Sequence, residues 1–510
     1  MRALLVSPGY PETYWSFSSV LKFISRKAVL PPVGLLTVAA MMPHEWDKKL
    51  VDVGIYTLED EDILWADMVF VSAMFVQRES ALEVIERCRK LGRKVVAGGP
   101  LFTIGDEDFS QIDHLLPFET ENTFPEFLHD LEAGCAKPVY LPEKRPAITG
   151  TPVPLWSLIN LKDYATMAVQ FSRGCPFNCE FCDIAAIYGR RIRTKTPEQV
   201  LREFDALYEA GWRDSVFLVD DNFIGNKIRV KELLPELIRW QEEHRYPVKL
   251  LTQASLNLAD DPELMEMMSR ANFYKVFLGI ESPSADSLKE CGKLQNTARD
   301  MAASIRVIQK NGMQVMGGFI VGFDSDTESI FETQLDFIQR IGVANAMVTI
   351  LTALPRTQLW HRIKEEGRLL HHSTANSDGS CNFIPRMGRR TLMDGFRKLV
   401  NSMYEPRRYY ERIAIFLDNY NPTARGTLRK GDITALLRGM WGIGVLSRSR
   451  RHFWRLMLKV IREKPKALPA AMELAMFGVH FQHYAKAVAA TPLPEEDLLE
   501  EQSDSTAAQI

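Results

Sequence analysis

The sequence predicts an α/β protein in three parts: an N-terminal doubly wound parallel sheet, a partial (β/α)6 barrel and a mainly helical C-terminal region. Short apolar runs alternate with helical stretches over about the first 145 residues, and the alternation resumes from Val169 to about Leu354. Beyond about residue 360 the strand-like runs fade and helical patterns remain. Strands that alternate with helices need right-handed crossovers, and these crossovers build parallel sheets.

The N-terminal region is expected to form the doubly wound sheet. The predicted strands are Arg2–Val6, Lys49–Val53, Met68–Ser72, Lys94–Ala97 and Asp113–Leu116. The predicted helices are Val33–Met42, Ser80–Leu91 and Thr123–Glu132. Sheets of this type bind ligands beyond the carboxyl ends of their strands. We therefore expect the loops after Val6, Ser72 and Ala97 to face a ligand.

The second alternating region fits a barrel better than another open sheet, because six strand–helix units fall within fewer than about 190 residues. The predicted strands are Val169–Ser172, Ser215–Val219, Val248–Ala254, Lys275–Ile280, Gln314–Val321 and Ala346–Leu351. Parallel barrels carry their chemistry at the carboxyl ends of the strands. Functional residues are therefore expected directly after these strands.

The C-terminal region is expected to be helical up to a polar tail. The predicted helices are Leu392–Tyr420 with a break at Pro406, Asp432–Gly439, Ser449–Glu463 and Pro469–Ala490. The acidic, polar end is expected to be disordered. The resulting division is an N-terminal domain (1–136), a linker (137–165), the barrel (166–360), the helical domain (361–492) and the tail (493–510).

Bulk composition narrows the class of protein. A chain of 510 residues is too long for one compact core. The net charge of −3 argues against a dedicated nucleic-acid binder. The sequence has no pattern of a signal peptide and no apolar run of about 18 residues. Seven cysteines, three of them crowded together, indicate a metal or redox site in a reducing compartment. We therefore expect a cytoplasmic protein.

The three crowded cysteines lie on one short loop after the first predicted barrel strand. Cys175, Cys179 and Cys182 have the spacing C-x3-C-x2-C. Three thiolates can hold three irons of a cubane cluster and leave the fourth iron open. A zinc site would usually take another Cys or His nearby, and the nearest histidines, His114 and His244, are far away in sequence. The pattern favours a catalytic iron–sulfur site over a structural zinc loop or coincidence.

This loop, with Phe181 just before the third cysteine, resembles the signature of the radical S-adenosylmethionine (SAM) superfamily. The resemblance implies that Cys175, Cys179 and Cys182 bind a 4Fe-4S cluster, with Phe181 in the cofactor site. It implies that the amino and carboxylate groups of SAM chelate the open iron. One electron from the reduced cluster would then cleave SAM to methionine and a 5′-deoxyadenosyl radical.

Polar residues after the next strands resemble the SAM-binding positions of that superfamily. Asp220, Asp221 and Asn222 end the second barrel strand and could hold the SAM ammonium or ribose. The alternative is that an Asp or Asn only caps a helix. Gln253, at the end of the third strand, resembles a ribose-side position, and Glu281 lies in a segment that resembles the fourth-strand motif.

Glycines and one arginine complete the resemblance to SAM sites. Gly318 and Gly322 lie in a segment that resembles the fifth-strand stretch that approaches adenine by backbone contacts, where a Cβ would obstruct. Arg193 could reach the SAM carboxylate, and the alternative is a solvated surface arginine.

The N-terminal domain resembles that of the cobalamin-binding subclass. The resemblance is carried by the segments that contain Gly34, by Gly98, Gly99 and Pro100, and by the acidic segment 119–125. It implies that these glycines, together with Ser72, approach cobalamin; the alternative is that they only turn the chain. The chain lacks an Asp-x-His-x-x-Gly motif, so no such histidine would coordinate the cobalt from below. It also departs from the family in having Pro117 and Phe118 where glycine is usual.

The overall pattern resembles cobalamin-binding radical SAM enzymes with an extra helical C-terminal region, the group that includes hopanoid C-2 methylase. The motifs that carry it are Ser172–Ile184, Gly189–Arg193, Thr196–Gln199, Val219–Asn226 and Leu354–Trp360. The resemblance implies methyl transfer to an unactivated carbon of a small molecule or of a lipid such as a hopanoid or other isoprenoid. It also implies an electron donor such as flavodoxin or ferredoxin.

The C-terminal region offers an independent indication of the substrate. Between Arg425 and Lys466, twelve Lys or Arg residues face only Asp432 and Glu463, and large apolar residues are interleaved with them. A basic helix with Trp and Phe on its apolar side is typical of contact with an anionic membrane surface. The alternative is that the aromatic residues pack against the barrel. Membrane contact would place the protein at the inner membrane face and favour a lipid substrate.

Two other functions stay open. One is a radical SAM enzyme that cyclises, rearranges or oxidises its substrate without methyl transfer. The other is a non-catalytic iron–sulfur or cobalamin sensor whose basic C-terminal region binds nucleic acid. A sensor would not need the SAM-like positions around an open cluster site, and we expect no nucleic-acid partner.

Overall fold

The computed structural model describes residues 1–105, 109–370, 380–426 and 429–490. It contains a five-stranded parallel sheet, a six-stranded parallel sheet and a C-terminal group of helices. The predicted α/β class, with a doubly wound sheet, a partial barrel and a helical C-terminal region, is confirmed. The predicted disordered tail, 493–510, lies outside the described residues.

The N-terminal sheet is parallel throughout. Its strands are β1 (Arg2–Ser7), β2 (Asp47–Asp52), β3 (Met68–Ser72), β4 (Lys94–Gly98) and β5 (His114–Leu116), in the order β2-β1-β3-β4-β5. Its helices are α1 (Ser18–Ile24), α2 (Val33–Met41), α3 (Asp60–Trp65), α4 (Arg78–Lys90), α5 (Pro100–Ile104) and α6 (Thr123–Glu132). Buried apolar clusters cover both faces of the sheet. The carboxyl ends of β1, β3 and β4 therefore meet at one edge.

The second sheet is also parallel throughout. Its strands, in spatial order, are β6 (Met167–Val169), β9 (Val216–Leu218), β10 (Leu250–Ala254), β11 (Phe273–Glu281), β12 (Gln314–Val321) and β13 (Asn345–Ile350). A small antiparallel pair, β7 (Ser172–Arg173) and β8 (Arg193–Thr194), lies between β6 and β9 in the chain.

Helices alternate with the strands of this barrel. They are α7 (Ile184–Ile187), α8 (Pro197–Glu209), α9 (Lys227–Glu243), α10 (Pro262–Arg270), α11 (Ala285–Glu290), α12 (Leu294–Thr297), α13 (Met301–Lys310), α14 (Ile330–Ile341) and α15 (Gln358–Glu365). Several begin with a side-chain cap: Thr196 before α8 accepts from the backbone of Gln199 and forms a capping box with it.

The prediction of one strand over Val169–Ser172 is wrong. Strand β6 ends at Val169, and β7 begins at Ser172 in a different sheet. The carboxylate of Asp220 accepts hydrogen bonds from the backbone N–H groups of Phe171 and Ser172, at 3.0 Å for Phe171. Those groups are thereby removed from the parallel ladder, and the chain leaves the barrel earlier than the apolar pattern indicates.

The predicted linker packs against both domains. Tyr140 is buried against Phe127 of α6. The backbone N–H of Leu155 donates to the carbonyl of Leu36 in α2 at 3.0 Å, and Arg145 donates to the carbonyl of Ala186 beside the barrel at 3.0 Å. This segment therefore fixes the two domains against each other.

The C-terminal helices complete the barrel instead of forming a separate lobe. They are α16 (Arg389–Met403), α17 (Pro406–Asn419), α18 (Lys430–Trp441), α19 (Arg450–Glu463) and α20 (Leu468–Ala490). The break at Pro406 is confirmed, and the proline occupies the first turn of α17. Barrel and C-terminal helices share one apolar cluster. Tyr404 donates from its hydroxyl to the carbonyl of Ala346 on β13.

The barrel has an accessible interior. Residues that point outward from the strands are buried under the helices, whereas inward residues towards the carboxyl ends stay partly exposed. We call this interior the lumen; its lining includes Phe217, Leu251, Gln253, Phe277, Ile320 and Thr349. Deeper on β11, Lys275 is buried and its ammonium pairs with Glu473 of α20 at 2.5 Å. Helix α20 therefore closes the lumen at that end.

Among the described residues, no helix is both long and apolar enough to cross a membrane.

We expect Gly478→Ala to lower the midpoint of thermal unfolding. A methyl group at Gly478 on α20 would overlap the ring of Tyr409 on α17, and overpacking of this kind costs about 1–3 kcal/mol. Gly431→Ala is the control, because nothing lies within 4 Å of a methyl group there. That control should leave the midpoint unchanged or raise it slightly. Equal midpoints for the two variants would contradict the close packing of α20 on α17.

Candidate active site

The three cysteines lie on the loop between β7 and α7, and backbone contacts hold this loop. Gly174 has φ +98°, and a Cβ there would lie 2.9 Å from the carbonyl oxygen of Gly189. Only glycine suits both the conformation and the approach. The N–H of Cys175 donates to that same carbonyl at 3.3 Å, and the N–H of Glu180 donates to the carbonyl of Cys291 at 2.9 Å. The loop is therefore anchored from both sides.

The thiols of Cys175, Cys179 and Cys182 are free and partly exposed. In the described part of the chain, no trio of His, Cys, Asp or Glu side chains converges on a single ion. A cubane does not require such a trio, since each iron takes one thiolate. Three free thiols on one anchored loop fit a cluster in which three irons each take one thiolate.

Burial raises the pKa of all three thiols, and most strongly that of Cys182. For Cys175, hydrogen bonds from the Phe177 backbone and from Asn222 work in the opposite direction, and the charge of Lys293 does so for Cys175 and Cys179. The metal-free site therefore holds protonated thiols. Metal binding must release these protons, so assembly of a cluster is expected to be favoured by higher pH.

Asp220 and Asp221 act on the backbone around the cysteine loop. Asp220 is fully buried, and burial raises its pKa to about 7. Its second carboxylate oxygen is buried without a hydrogen-bond partner among the described residues. Asp221 accepts from the N–H of Gly174 at 3.1 Å, and burial raises its pKa to about 6. Both side chains position the loop that carries the cysteines.

Asn222 is the member of this trio that faces the thiols. It precedes the short helical turn Phe223–Asn226 but makes no side-chain cap, so the capping alternative is wrong for this residue. Its amide nitrogen donates to the hydroxyl of Ser255 at 3.3 Å, and its amide oxygen is buried without a partner in the described part of the chain. An unpaired buried acceptor next to Cys175 is suited to a ligand that donates hydrogen bonds. Gln253 points into the lumen from β10.

Glu281 ends β11 in a strained conformation. Its φ is +67°, and the register of β11 and β12 shifts between Gly279 and Glu281. Such conformations in non-glycine residues are held by the surrounding structure and concentrate at functional sites. The Glu281 carboxylate pairs with the buried Lys293 ammonium. Although burial lowers the pKa of Lys293, Glu281 and Cys179 keep it above the ordinary value.

Gly318 and Gly322 are both in close contact with side chains. A Cβ at Gly318 would lie 2.8 Å from the ring of Phe277, inside the lumen. Gly322 has φ +102°, and a Cβ there would lie 2.9 Å from the side chain of Leu392. Backbone contact with adenine at these glycines stays a prediction.

Arg193 is a buried anchor between the domains. It donates to both carboxylate oxygens of Glu119 at 2.8 Å and to the carbonyls of Pro146 and Tyr188. Its side chain is 15% exposed, so the alternative of a solvated arginine is wrong. Arg173 also pairs with Glu119 at 2.9 Å, and with Glu121 at 2.7 Å. These contacts join the loop after β5 to β7 and β8, on either side of the cysteine loop.

The carboxyl ends of the N-terminal strands form the edge where a ligand is expected, which we call the ligand edge. The predicted glycines lie in this part of the domain. Gly99 has φ +95°, and a Cβ there would lie 2.8 Å from the hydroxyl of Ser72, so close packing alone requires glycine. Gly98 likewise approaches the carbonyl of Leu116, whereas Gly34, at the start of α2, faces open space. Pro100 is the first residue of α5.

Large side chains at this edge are exposed. Tyr10, Trp15 and Met74, which follow β1 and β3, are each 50% exposed or more. A large ligand with an apolar face would cover them, and this observation fits a corrin ring. The ring of Trp15 also lies 5.1 Å from that of Phe277 in the lumen. The sheet edge and the barrel interior therefore meet.

Four residues near the cysteines were not predicted from the sequence as site residues: Arg173, Lys293, Gln295 and Ser255. The side chain of Gln295 lowers the pKa of the Cys179 thiol, against the effect of burial. Arg173 stands two residues before Cys175 in the cysteine segment, whereas Lys293, Gln295 and Ser255 belong to no recognisable spacing and reach the cysteines only in the tertiary fold. The acidic segment 119–125 did contain a signal, since Glu119 and Glu121 stand two residues apart in it, and Glu119 is buried.

Two family models match the chain. The radical SAM superfamily model matches residues 169–338, and a domain of unknown function, DUF4070, matches residues 357–492. An uncharacterised methyltransferase of Synechocystis sp. is 41% identical over 96% of this chain and 92% of its own length. Hopanoid C-2 methylase of Rhodopseudomonas palustris is 33% identical over 90% of this chain and 89% of its own length.

Solved structures show the same fold. The cobalamin-dependent SAM radical enzyme OxsB, with aqua-cobalamin bound, superposes with a TM-score of 0.59 at 16% identity, over 100% of this chain and 81% of that one. The radical SAM methyltransferase TsrM from Kitasatospora setae has a TM-score of 0.56 at 16% identity, over 91% and 100% of the two chains.

We expect Asp220→Asn to change the pH dependence of stability. The folded pKa of Asp220, about 7, lies above its ordinary value of 3.8. Its contribution to stability is therefore complete below about pH 4 and is lost as pH rises through about 7. Asparagine keeps an acceptor for the two N–H groups but does not titrate. Relative to wild type, the variant should gain stability between about pH 5 and pH 8 in denaturant unfolding of the metal-free protein.

The control for this test is Asp220→Ala, which removes the acceptor at every pH. It should cost about 1–3 kcal/mol per N–H group left unpaired. A stability difference between wild type and the asparagine variant that is flat across this pH range would contradict the buried, titrating carboxyl group.

Proposed function

Since the chain belongs to the radical SAM methyltransferases that include hopanoid C-2 methylase, we propose that it methylates an unactivated carbon of a lipid such as a hopanoid or other isoprenoid. The observation that carries this proposal is the contact of Trp15 with Phe277. It brings the ligand edge of the N-terminal sheet to the lumen, so a methyl source at that edge and a radical source at the cysteine loop would face one apolar space.

Cys175, Cys179 and Cys182 would hold the 4Fe-4S cluster, with SAM on its open iron. When bound, these groups supply a carbon radical, the kind of reagent that removes hydrogen from an sp3 carbon that side-chain bases cannot deprotonate. Asn222 offers SAM a buried hydrogen-bond acceptor. Gln253, on strand β10, points into the lumen. Glu281 and Lys293 form a largely buried ion pair beside Cys179.

Cobalamin would lie on the exposed aromatic edge of the N-terminal sheet, near Gly34, Ser72, Gly98, Gly99 and Pro100. When bound, it supplies a transferable methyl group. The open space at Gly34 leaves room for a bulky ligand, and Tyr10 and Trp15 offer apolar surface for its ring. Because the chain has no Asp-x-His-x-x-Gly motif, no such histidine is available as a lower ligand.

The lining of the lumen supports the proposed substrate class. Phe217, Leu251, Phe277 and Ile320 are partly exposed there, and they would bind hydrocarbon favourably. Gln253 and Thr349 are polar side chains in the same lining and could orient a hydroxyl group. A polycyclic or isoprenoid lipid matches this balance better than a charged metabolite.

The reaction needs electrons from outside the chain. A small donor such as flavodoxin or ferredoxin would supply them. We also propose that the enzyme works at the cytoplasmic face of the membrane, where a lipid substrate would be. Membership in an enzyme family argues against the sensor alternative. A radical reaction without methyl transfer is one outcome of the product assay below.

We expect Cys179→Ala to abolish cluster assembly. After anaerobic reconstitution with iron and sulfide, the variant should lose the visible absorbance of the cluster. With a reductant present, cleavage of SAM to 5′-deoxyadenosine should fall by more than the roughly 10–100-fold that loss of an outer-shell partner costs, since a direct cluster ligand is lost. Cys135→Ala, an exposed cysteine after α6, is the matched control and should retain both. Normal iron content in the Cys179 variant would contradict the assignment.

The proposed reaction predicts two coupled products. The reconstituted enzyme with hydroxocobalamin, a reductant, methyl-labelled SAM and a bacterial lipid extract should form 5′-deoxyadenosine and S-adenosylhomocysteine together, with label in the lipid fraction. The Cys179→Ala protein is the background control. Deoxyadenosine alone would overturn methyl transfer and favour cyclisation, rearrangement or oxidation. Label confined to water-soluble products would overturn the lipid substrate.

A further inference from the structure

The junction of α18 and α19 carries an exposed apolar surface, which we call the apolar tip. Its members are Leu437, Trp441, Val445, Leu446, Trp454 and Leu458. Trp441 is 63% exposed, Leu446 67% and Leu458 65%. Leu437, Trp441 and Val445 recur every four residues, so they form one stripe. Isolated exposed apolar residues are ordinary, whereas a contiguous set this large marks a contact surface.

The apolar tip is additional to the face that packs on the protein. Ile443, Phe453 and Leu456 from the same segment are buried in the core. The alternative that aromatic residues pack inward therefore holds for part of this basic segment, whereas other large apolar side chains of the segment face solvent. The exposed set is not needed to complete the core.

The tip has a fixed shape. The chain between the two helices forms a π-helical turn, Gly442–Leu446, in which Gly444 is buried. The indole N–H of Trp454 donates to the carbonyl of Gly444 at 2.9 Å. This bond holds Trp454 of α19 against the turn that presents Val445 and Leu446. The tip is therefore pre-organised in the free protein, so contact with a partner orders little additional chain.

Four exposed arginines lie next to the tip along the chain. Arg448, Arg450, Arg451 and Arg455 are exposed, and within the described ranges none of them has a carboxylate partner. The segment is basic in a chain whose net charge is −3. An exposed apolar tip next to a group of exposed arginines complements the headgroups and hydrocarbon boundary of an anionic bilayer.

We propose that the apolar tip docks the enzyme on an anionic membrane surface, with Trp441, Val445 and Leu446 in the interface and the four arginines on the headgroups. The proposal rests on the proposed function for its purpose, delivery of a lipid substrate, but not for its evidence. A second copy of the chain is a poorer occupant, since a twofold interface would bring like charges together.

Vesicle sedimentation with the reconstituted full chain tests this docking. Vesicles of phosphatidylcholine with phosphatidylglycerol should bind the protein on the order of tenfold or more tightly than phosphatidylcholine alone, because each arginine near the surface adds to the attraction. Raising the salt from about 0.1 M to about 0.5 M should weaken this binding. Equal binding to both vesicle types, or none to either, would overturn the proposal.

Variants locate the surface. Trp441→Ser with Leu446→Ser should lower vesicle binding on the order of tenfold or more, while SAM cleavage in the absence of vesicles is unchanged. Ile228→Ser is the matched control, because Ile228 is 75% exposed on α9, away from the tip. Arg450→Gln with Arg451→Gln should remove most of the preference for anionic vesicles. Unchanged binding in both double variants would overturn the assignment of this surface.

Two further readouts separate this proposal from others. If the tip variant changes the oligomeric state in solution and leaves vesicle binding intact, the tip is an interface between copies, and the proposal fails. If vesicles bind as expected but no methyl reaches lipid in the product assay, docking stands and the proposed reaction fails. If detergent-dispersed lipid is methylated but no vesicles bind, the proposed reaction stands and docking fails.

Discussion

The position of the two domains against each other depends on the ion pairs that the buried carboxylate of Glu119 forms. This carboxylate is 2% exposed and accepts from Arg173 and from both nitrogens of the Arg193 fork. A buried charge of this kind is tolerable only while its partners are in place, and loss of one partner typically costs about 3–5 kcal/mol. Because Arg173 precedes the cysteine loop and Arg193 follows it, one carboxylate from the N-terminal domain fixes both ends of the segment that would hold the cluster.

Inside the barrel, buried acidic side chains also hold the chain, by accepting hydrogen bonds from backbone N–H groups. Asp220 takes the N–H groups of Phe171 and Ser172, and Asp221 takes that of Gly174. Burial of these carboxyl groups is unfavourable for their charged forms, which the raised pKa values of about 7 and about 6 reflect. The loop is therefore held by groups that destabilise the fold locally, a common feature of sites where geometry matters more than stability.

Sequence periodicity predicted the elements whose own residues carry the pattern. Gln314–Val321 and Met68–Ser72 have the predicted bounds because a short, mainly apolar run is typical of a strand in a parallel sheet covered by helices. The cysteine spacing likewise indicated its own chemistry. The strand predicted over Val169–Ser172 was wrong because a carboxylate 48 residues or more away takes its hydrogen bonds. Lys293 was missed for the same reason, since only folding brings it to Glu281.

The C-terminal helices shield the interior of this barrel from water. A partial barrel leaves its interior open along one side, and an open interior would fill with water. Here α20 supplies Glu473 to the buried Lys275, and Tyr404 bonds the edge strand β13. The lumen is thereby closed at its deep end by the same group of helices that carries the apolar tip. One C-terminal unit thus both shields the lumen and presents an apolar surface to the outside, the combination that the proposed reaction on a membrane lipid would require.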